Sequence, residues 1–130
     1  MMAKVSYCNV YVDDQDQAKR FYCDVMGFEI KHDIPIGEHR WLTVTAPGDP
    51  EGPQLLLEPD VHPAVKTYKT ALVEDGIPLA AFEVDDVQTE VDRLVSEHAT
   101  TVVQRPTPAG EVTIAVVDDT CGNLIQLFSY

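Results

Sequence analysis

The sequence predicts an α+β fold built from two tandem βαβββ modules whose mixed sheets pair to form an open cup. Three observations predict it. The pattern NVYVDDQDQAKRFY (Asn9–Tyr22) returns as AFEVDDVQTEVDRLV (Ala81–Val95), which marks an internal duplication. In each copy an alternating run ends in Val-Asp-Asp, so both read as a strand followed by an acidic helix cap. Three further β-rich runs follow each helical stretch.

The first strand is expected over Val5–Val12, with Tyr7, Asn9 and Tyr11 on one face and Cys8, Val10 and Val12 on the other. Asp13 or Asp14 then caps a helix, with Gln17 placed to complete a capping box. Ala18, Phe21, Tyr22 and Val25 fall on one helical stripe, and Gly27 suits the left-handed residue beyond its end. Phe28–Ile34 and His39–Thr45 read as strands joined by a turn at Pro35 and Gly37. After the loop APGDPEGP, Gln54–Glu58 forms the last strand of the first module, with Leu55 and Leu57 opposite Gln54, Leu56 and Glu58.

The first module is expected over residues 1–60, a linking helix over 61–76 and the second module over 77–130. Pro63 fits the first turn of the linking helix, and Ala64, Tyr68, Ala71 and Leu72 supply its apolar side. Leu79–Val84 opens the second copy, and Val87, Val91, Leu94 and Val95 form its helical stripe. Thr100–Val103, Val112–Val117 and Asn123–Phe128 close it as strands, with a turn over Asp119–Gly122.

At 130 residues and 45% apolar composition, the chain suffices for one packed domain divided into two modules. Its net charge of −13 repels phosphate backbones and anionic lipids, which argues against nucleic acid and membrane partners. No apolar run approaches the roughly 18–20 residues needed to span a bilayer. MMAKVSYC also lacks the apolar core of a secretory signal, so a cytoplasmic location is expected. Cys8, Cys23 and Cys121 lack any zinc-type spacing and read as reduced thiols.

Each sheet can bury only one face on its module's helix, and the opposite face is left to line the cup. By alternation that free face carries Tyr7, Asn9, Tyr11, Trp41 and Glu58 in the first module. In the second it carries Glu83, Gln126 and Phe128. Aromatic walls with a few polar groups suit a small, partly aromatic or amphipathic molecule. Glu58 stands out because a carboxylate there requires a cation, a donor or water to offset its burial. The histidines, His32, His39, His62 and His98, are expected off the cup face.

The segments VYVDDQDQAKRFYCDVMGFEI, QLLLEP, FEVDDVQTEVDRL and VVDDTCGNLIQLF, in this order, resemble the vicinal oxygen chelate superfamily. That superfamily includes glyoxalase I, bleomycin resistance proteins and extradiol dioxygenases. The resemblance covers nearly the whole chain. It implies metal ligands at Tyr7, Glu58, Leu79 and Gln126, but leucine has no donor and tyrosine is an unusual one. A ligand-binding protein without the usual metal centre is therefore expected, with no cofactor. The alternative is a metal-dependent lyase, isomerase or dioxygenase, with Glu58 and Gln126 holding a divalent metal and Glu58 or Glu83 as the catalytic base. The resemblance also implies a homodimer.

Overall fold

The computed structural model describes residues 2–130. The chain divides into two compact units, one ending at His62 and the other running Pro63–Tyr130.

In the first unit, β1 (Tyr7–Val12) leads into α1 (Gln15–Lys19), a π-helical turn (Arg20–Val25), β2 (Glu29–Ile36), β3 (His39–Thr45) and β4 (Gln54–Pro59). Asp14 caps α1, and its side chain accepts the Gln17 N–H. Spacing alone reads Ala18–Val25 as one α-helix, whereas the chain widens at Arg20, and the Met26 N–H donates to the Phe21 carbonyl at 2.9 Å. Consecutive Phe21 and Tyr22 are both buried, with rings edge-on at 5.2 Å. The expected strand start at Val5 moves to Tyr7, because β4 offers its first partner residue at Gln54.

The sheet order is β1-β4-β3-β2, with β1 parallel to β4 and the other neighbours antiparallel. Val10, Val12, Leu42, Val44, Leu55 and Leu57 share the helix side and are buried, as alternation predicts. The hairpin turn falls at Gly37-Glu38 rather than at Pro35, which is accommodated within β2 because β2 is an edge strand. Gly37 takes φ 59°, which glycine adopts without the Cβ clash of other residues.

The second unit begins with α2 (Pro63–Glu74), followed by β5 (Ala80–Glu83), α3 (Val87–His98), β6 (Val102–Ala109), β7 (Val112–Asp118) and β8 (Leu124–Ser129). Its sheet order, β5-β8-β7-β6, repeats that of the first unit, so both are βαβββ modules. Asp86 caps α3 as Asp14 caps α1, and Gly110-Glu111 makes the hairpin turn as Gly37-Glu38 does. The edge strand β6 again passes through prolines, Pro106 and Pro108, which extends it well past the expected Val103.

Two expectations for the helices of this unit change. On α2 the inward stripe is Val65, Lys69 and Leu72, while Ala64, Tyr68 and Ala71 are exposed. Lys69 is buried, and its Nζ donates to the Cys121 carbonyl at 2.9 Å. On α3, Val87, Val91 and Leu94 are buried, but Val95 is exposed. No helix among the described residues is long and apolar enough to cross a membrane.

Candidate functional site

The helix-free face of the first module takes its composition from the strand register. Tyr7 lies opposite Gln54, Asn9 opposite Leu56, and Tyr11 opposite Glu58, and paired residues project to the same side. Thr43 opposite Leu56 adds Trp41 and Thr43 to that side. The Tyr7 and Trp41 rings meet edge to face at 5.7 Å and 72°. Asn9 Nδ2 donates to Glu58 Oε2 at 2.6 Å, which fixes the carboxylate. Glu58 is half-buried and has no ion pair among the described residues.

Next to this constellation lies a cavity of about 280 Å³, lined by Ile36, His39, Arg40, Trp41, Leu56, Glu58, Pro59 and Val61. That is just below the roughly 300–1,000 Å³ of ordinary small-molecule pockets. A second cavity of about 220 Å³ shares His39, Arg40, Pro59 and Val61 with it and adds Asp13, Asp14, Asp16, Glu38 and Asp60. The guanidinium of Arg40 does not neutralise Glu58. It is held instead by Asp16 and by Asp33, the latter at 2.9 Å, and Asp33 also takes Lys19 at 3.1 Å. Hydrogen bonding from Arg40 holds the Asp16 carboxyl below its usual range. Burial alone would raise Asp33, but its bonds to Lys19 and Arg40 outweigh burial and lower it.

The cavity opens where β3 and β4 part. Their register pairs are Thr43 with Leu56 and Val44 with Leu55, and no pairing continues toward Arg40. Pro59 has no N–H for a rung opposite Arg40. The side chain of Gln15 enters the gap instead. Its Oε1 accepts the Arg40 N–H at 3.0 Å, and its Nε2 donates to the carbonyls of Arg40 at 2.7 Å and Leu57 at 3.0 Å.

In the second module Ala81 lies opposite Gln126 and Glu83 opposite Phe128, so Gln126, Glu83 and Phe128 share that sheet's helix-free face. The Phe128 ring meets Tyr130 edge-on at 6.0 Å. With the modules aligned on their cap aspartates, Glu58 corresponds to Phe128, and Gln126 to Leu56. The two polar positions therefore sit on different rungs of their sheets. Among the described residues no three His, Cys, Asp or Glu side chains are grouped to hold a metal.

The expectation that every histidine lies off this face is corrected for two of them. His32 pairs with Thr43, and His39 pairs with Ile36 in the same alternation as Trp41, so both are on the helix-free side. For His39 the signal was present in its parity with Trp41. For His32 it was hidden by a bulge between Ile30 and His32, which shifts the alternation by one residue. Ile34 and Ile36 join the same face, again through that shift.

Residues 4–127 match the model of the Glyoxalase/Bleomycin resistance protein/Dioxygenase superfamily. The uncharacterized protein YurT of Bacillus subtilis (strain 168) is 48% identical over 124 residues, covering 95% of this chain and 97% of that one. Among solved structures, UcmS2 is 31% identical with a TM-score of 0.84 over 100% of both chains. TnmS3, an antibiotic binding protein from Streptomyces sp. CB03234, is 28% identical with a TM-score of 0.76, over 98% of this chain and 96% of its own.

Proposed function

Because the chain belongs to the Glyoxalase/Bleomycin resistance protein/Dioxygenase superfamily, we propose that it binds a small, partly aromatic or amphipathic molecule against the helix-free face of its first module. The carrying observation is the cavity beside Trp41, where an apolar wall meets a carboxylate held by Asn9 and not ion-paired among the described residues. Trp41, with Tyr7 against its edge, takes the flat part of the ligand, and Ile36, Leu56 and Val61 take its aliphatic parts. Glu58 takes a donor or cation. Tyr11, opposite Glu58, borders the same end. On the second module, Gln126 and Glu83 are assigned the polar role and Phe128 the apolar one.

The antibiotic binding of TnmS3, a protein of similar fold, supports this reading. The acidic rim of the neighbouring cavity and the net charge of −13 favour a cationic ligand over an anionic one. The donor set does not fit the metal centre the resemblance implies. The Leu79 side chain carries no donor atom and Tyr7 is an unusual ligand, which leaves Glu58 and Gln126 as two ordinary donors where three or four are usual. A homodimer and a cytoplasmic location complete the proposal, and sizing chromatography tests the first.

Trp41 is the single tryptophan, so its emission reports directly on this cavity. Titration with naphthylmethylammonium and with naphthylacetate, both with EDTA present, compares one ring system under opposite charges. The ammonium is expected to change Trp41 emission saturably, and Glu58→Gln to weaken it about tenfold, the loss of one charge-assisted contact. Equal response to both probes, or none, would refute the reading.

A further inference from the structure

We infer that Gln15 is a positioning residue of the ligand cleft: its side-chain amide stands in for the missing rungs between β3 and β4, keeping the strands apart while holding Trp41 in place. The inference rests on the proposed binding reading only for its effect on affinity. The backbone geometry stands by itself.

The two modules provide an internal control. In the second, β7 and β8 pair without a break from Asp118 with Leu124 to Thr113 with Ser129. With the modules aligned on Asp14 and Asp86, the counterpart of the Thr113–Ser129 rung is Arg40 opposite Pro59, and it is absent. Two residues differ where the ladders differ. Ser129 has a backbone N–H to give, and Pro59 has none. The first helical residue after the cap is Val87 in the second module, buried in the core, and Gln15 in the first.

A primary amide is the side chain suited to this gap, because it has one acceptor and two donors in a plane. All three are used on Arg40 N–H, Arg40 C=O and Leu57 C=O. Without them these backbone groups would require water in a part-buried setting. Residue 15 reaches the gap because β1 runs parallel to β4, with Val12 opposite Pro59, so the helix start lies beside the end of β4. Arg40 and Leu57 immediately precede Trp41 and Glu58 in sequence, so this clamp sets the separation of the cavity's aromatic and acidic walls.

The test uses three readouts on Gln15→Ala and Gln15→Glu. The Arg40 amide is expected to exchange with solvent at least tenfold faster in Gln15→Ala, relative to the ladder-paired Val44 amide. Trp41 emission should shift, and naphthylmethylammonium binding should weaken at least fivefold. In Gln15→Glu the carboxylate accepts from Arg40 N–H but has no proton for the two carbonyls. Its Trp41 emission should therefore resemble that of Gln15→Ala at pH 7. It should return toward the wild-type value as pH falls through the glutamate range, about 4.3, by a larger change than the wild type, which keeps Glu58, Asp16 and Asp33 around the same cavity, shows over that range.

A lowered melting temperature with unchanged Trp41 emission and Arg40 exchange would overturn the inference and leave Gln15 merely structural. If Gln15→Ala fails to fold, the pH response of Gln15→Glu decides, and a response no larger than that of the wild type overturns it. Shifts in emission and exchange, with no probe binding even to the wild type, would uphold the clamp and reject the binding reading.

Discussion

Thr43 is fully buried on the helix-free side of β3, and its hydroxyl oxygen has no hydrogen-bond partner among the described residues. An unsatisfied buried polar atom costs about 1–3 kcal/mol, whereas an apolar group of the same shape carries no such penalty. Thr43→Val is therefore expected to raise stability by about 1 kcal/mol, measured by urea denaturation, and a loss of stability would mean that the hydroxyl is satisfied in solution. Glu58 shows how far single residues could be read. Its place on the free face follows from alternation along QLLLEP, but its restraint by Asn9 requires knowing that β1 and β4 are adjacent and parallel. Gln15 carried no signal at all in the sequence. A glutamine at a helix start is unremarkable until the opposite strand ends in a proline that cannot complete a rung.

Among the elements, α3 ends on Ala99 in the left-handed region at φ 52°, where the first module has Gly27 at φ 89°. A Cβ there costs about 1 kcal/mol, so Ala99→Gly should raise the melting temperature, and a lowered one would show that the helix end relaxes another way. A second prediction concerns the joint of α1, β2 and β3 at Asp33, which takes both Lys19 and Arg40. Its folded pKa lies below the ordinary 3.8, so the unfolded chain binds the proton more tightly. The stability it contributes is complete above about pH 3.8 and is lost as pH falls through the folded value. Asp33→Asn should thus be less stable at pH 7 yet lose less stability between pH 5 and 2, as followed by circular dichroism. Both helices that follow Val-Asp-Asp were legible, because caps and stripes are local. The π-helical widening, the proline-bearing edge strands and the inward turn of Lys69 were not, because each depends on what lies next to the element.

For the whole molecule, a net charge of −13 on 130 residues makes self-repulsion a general load on the folded state. The screening length shrinks from about 30 Å at 0.01 M salt to about 8 Å at 0.15 M. The melting temperature should accordingly rise over that range with sodium chloride, and a flat profile would mean that the acidic groups are already locally compensated. The sequence by itself determined the duplication, the order βαβββ, the acidic caps and which residues share each strand face, since all of these follow from periodicities of two and 3.6 residues. Tertiary structure alone decided where the ladder of the first module breaks, that His32 joins its free face through a bulge, and which distant amide bridges the gap beside Trp41. The physical reason is that register and missing rungs are properties of strand pairs, and a single strand's alternation holds no record of the partner that will lie beside it.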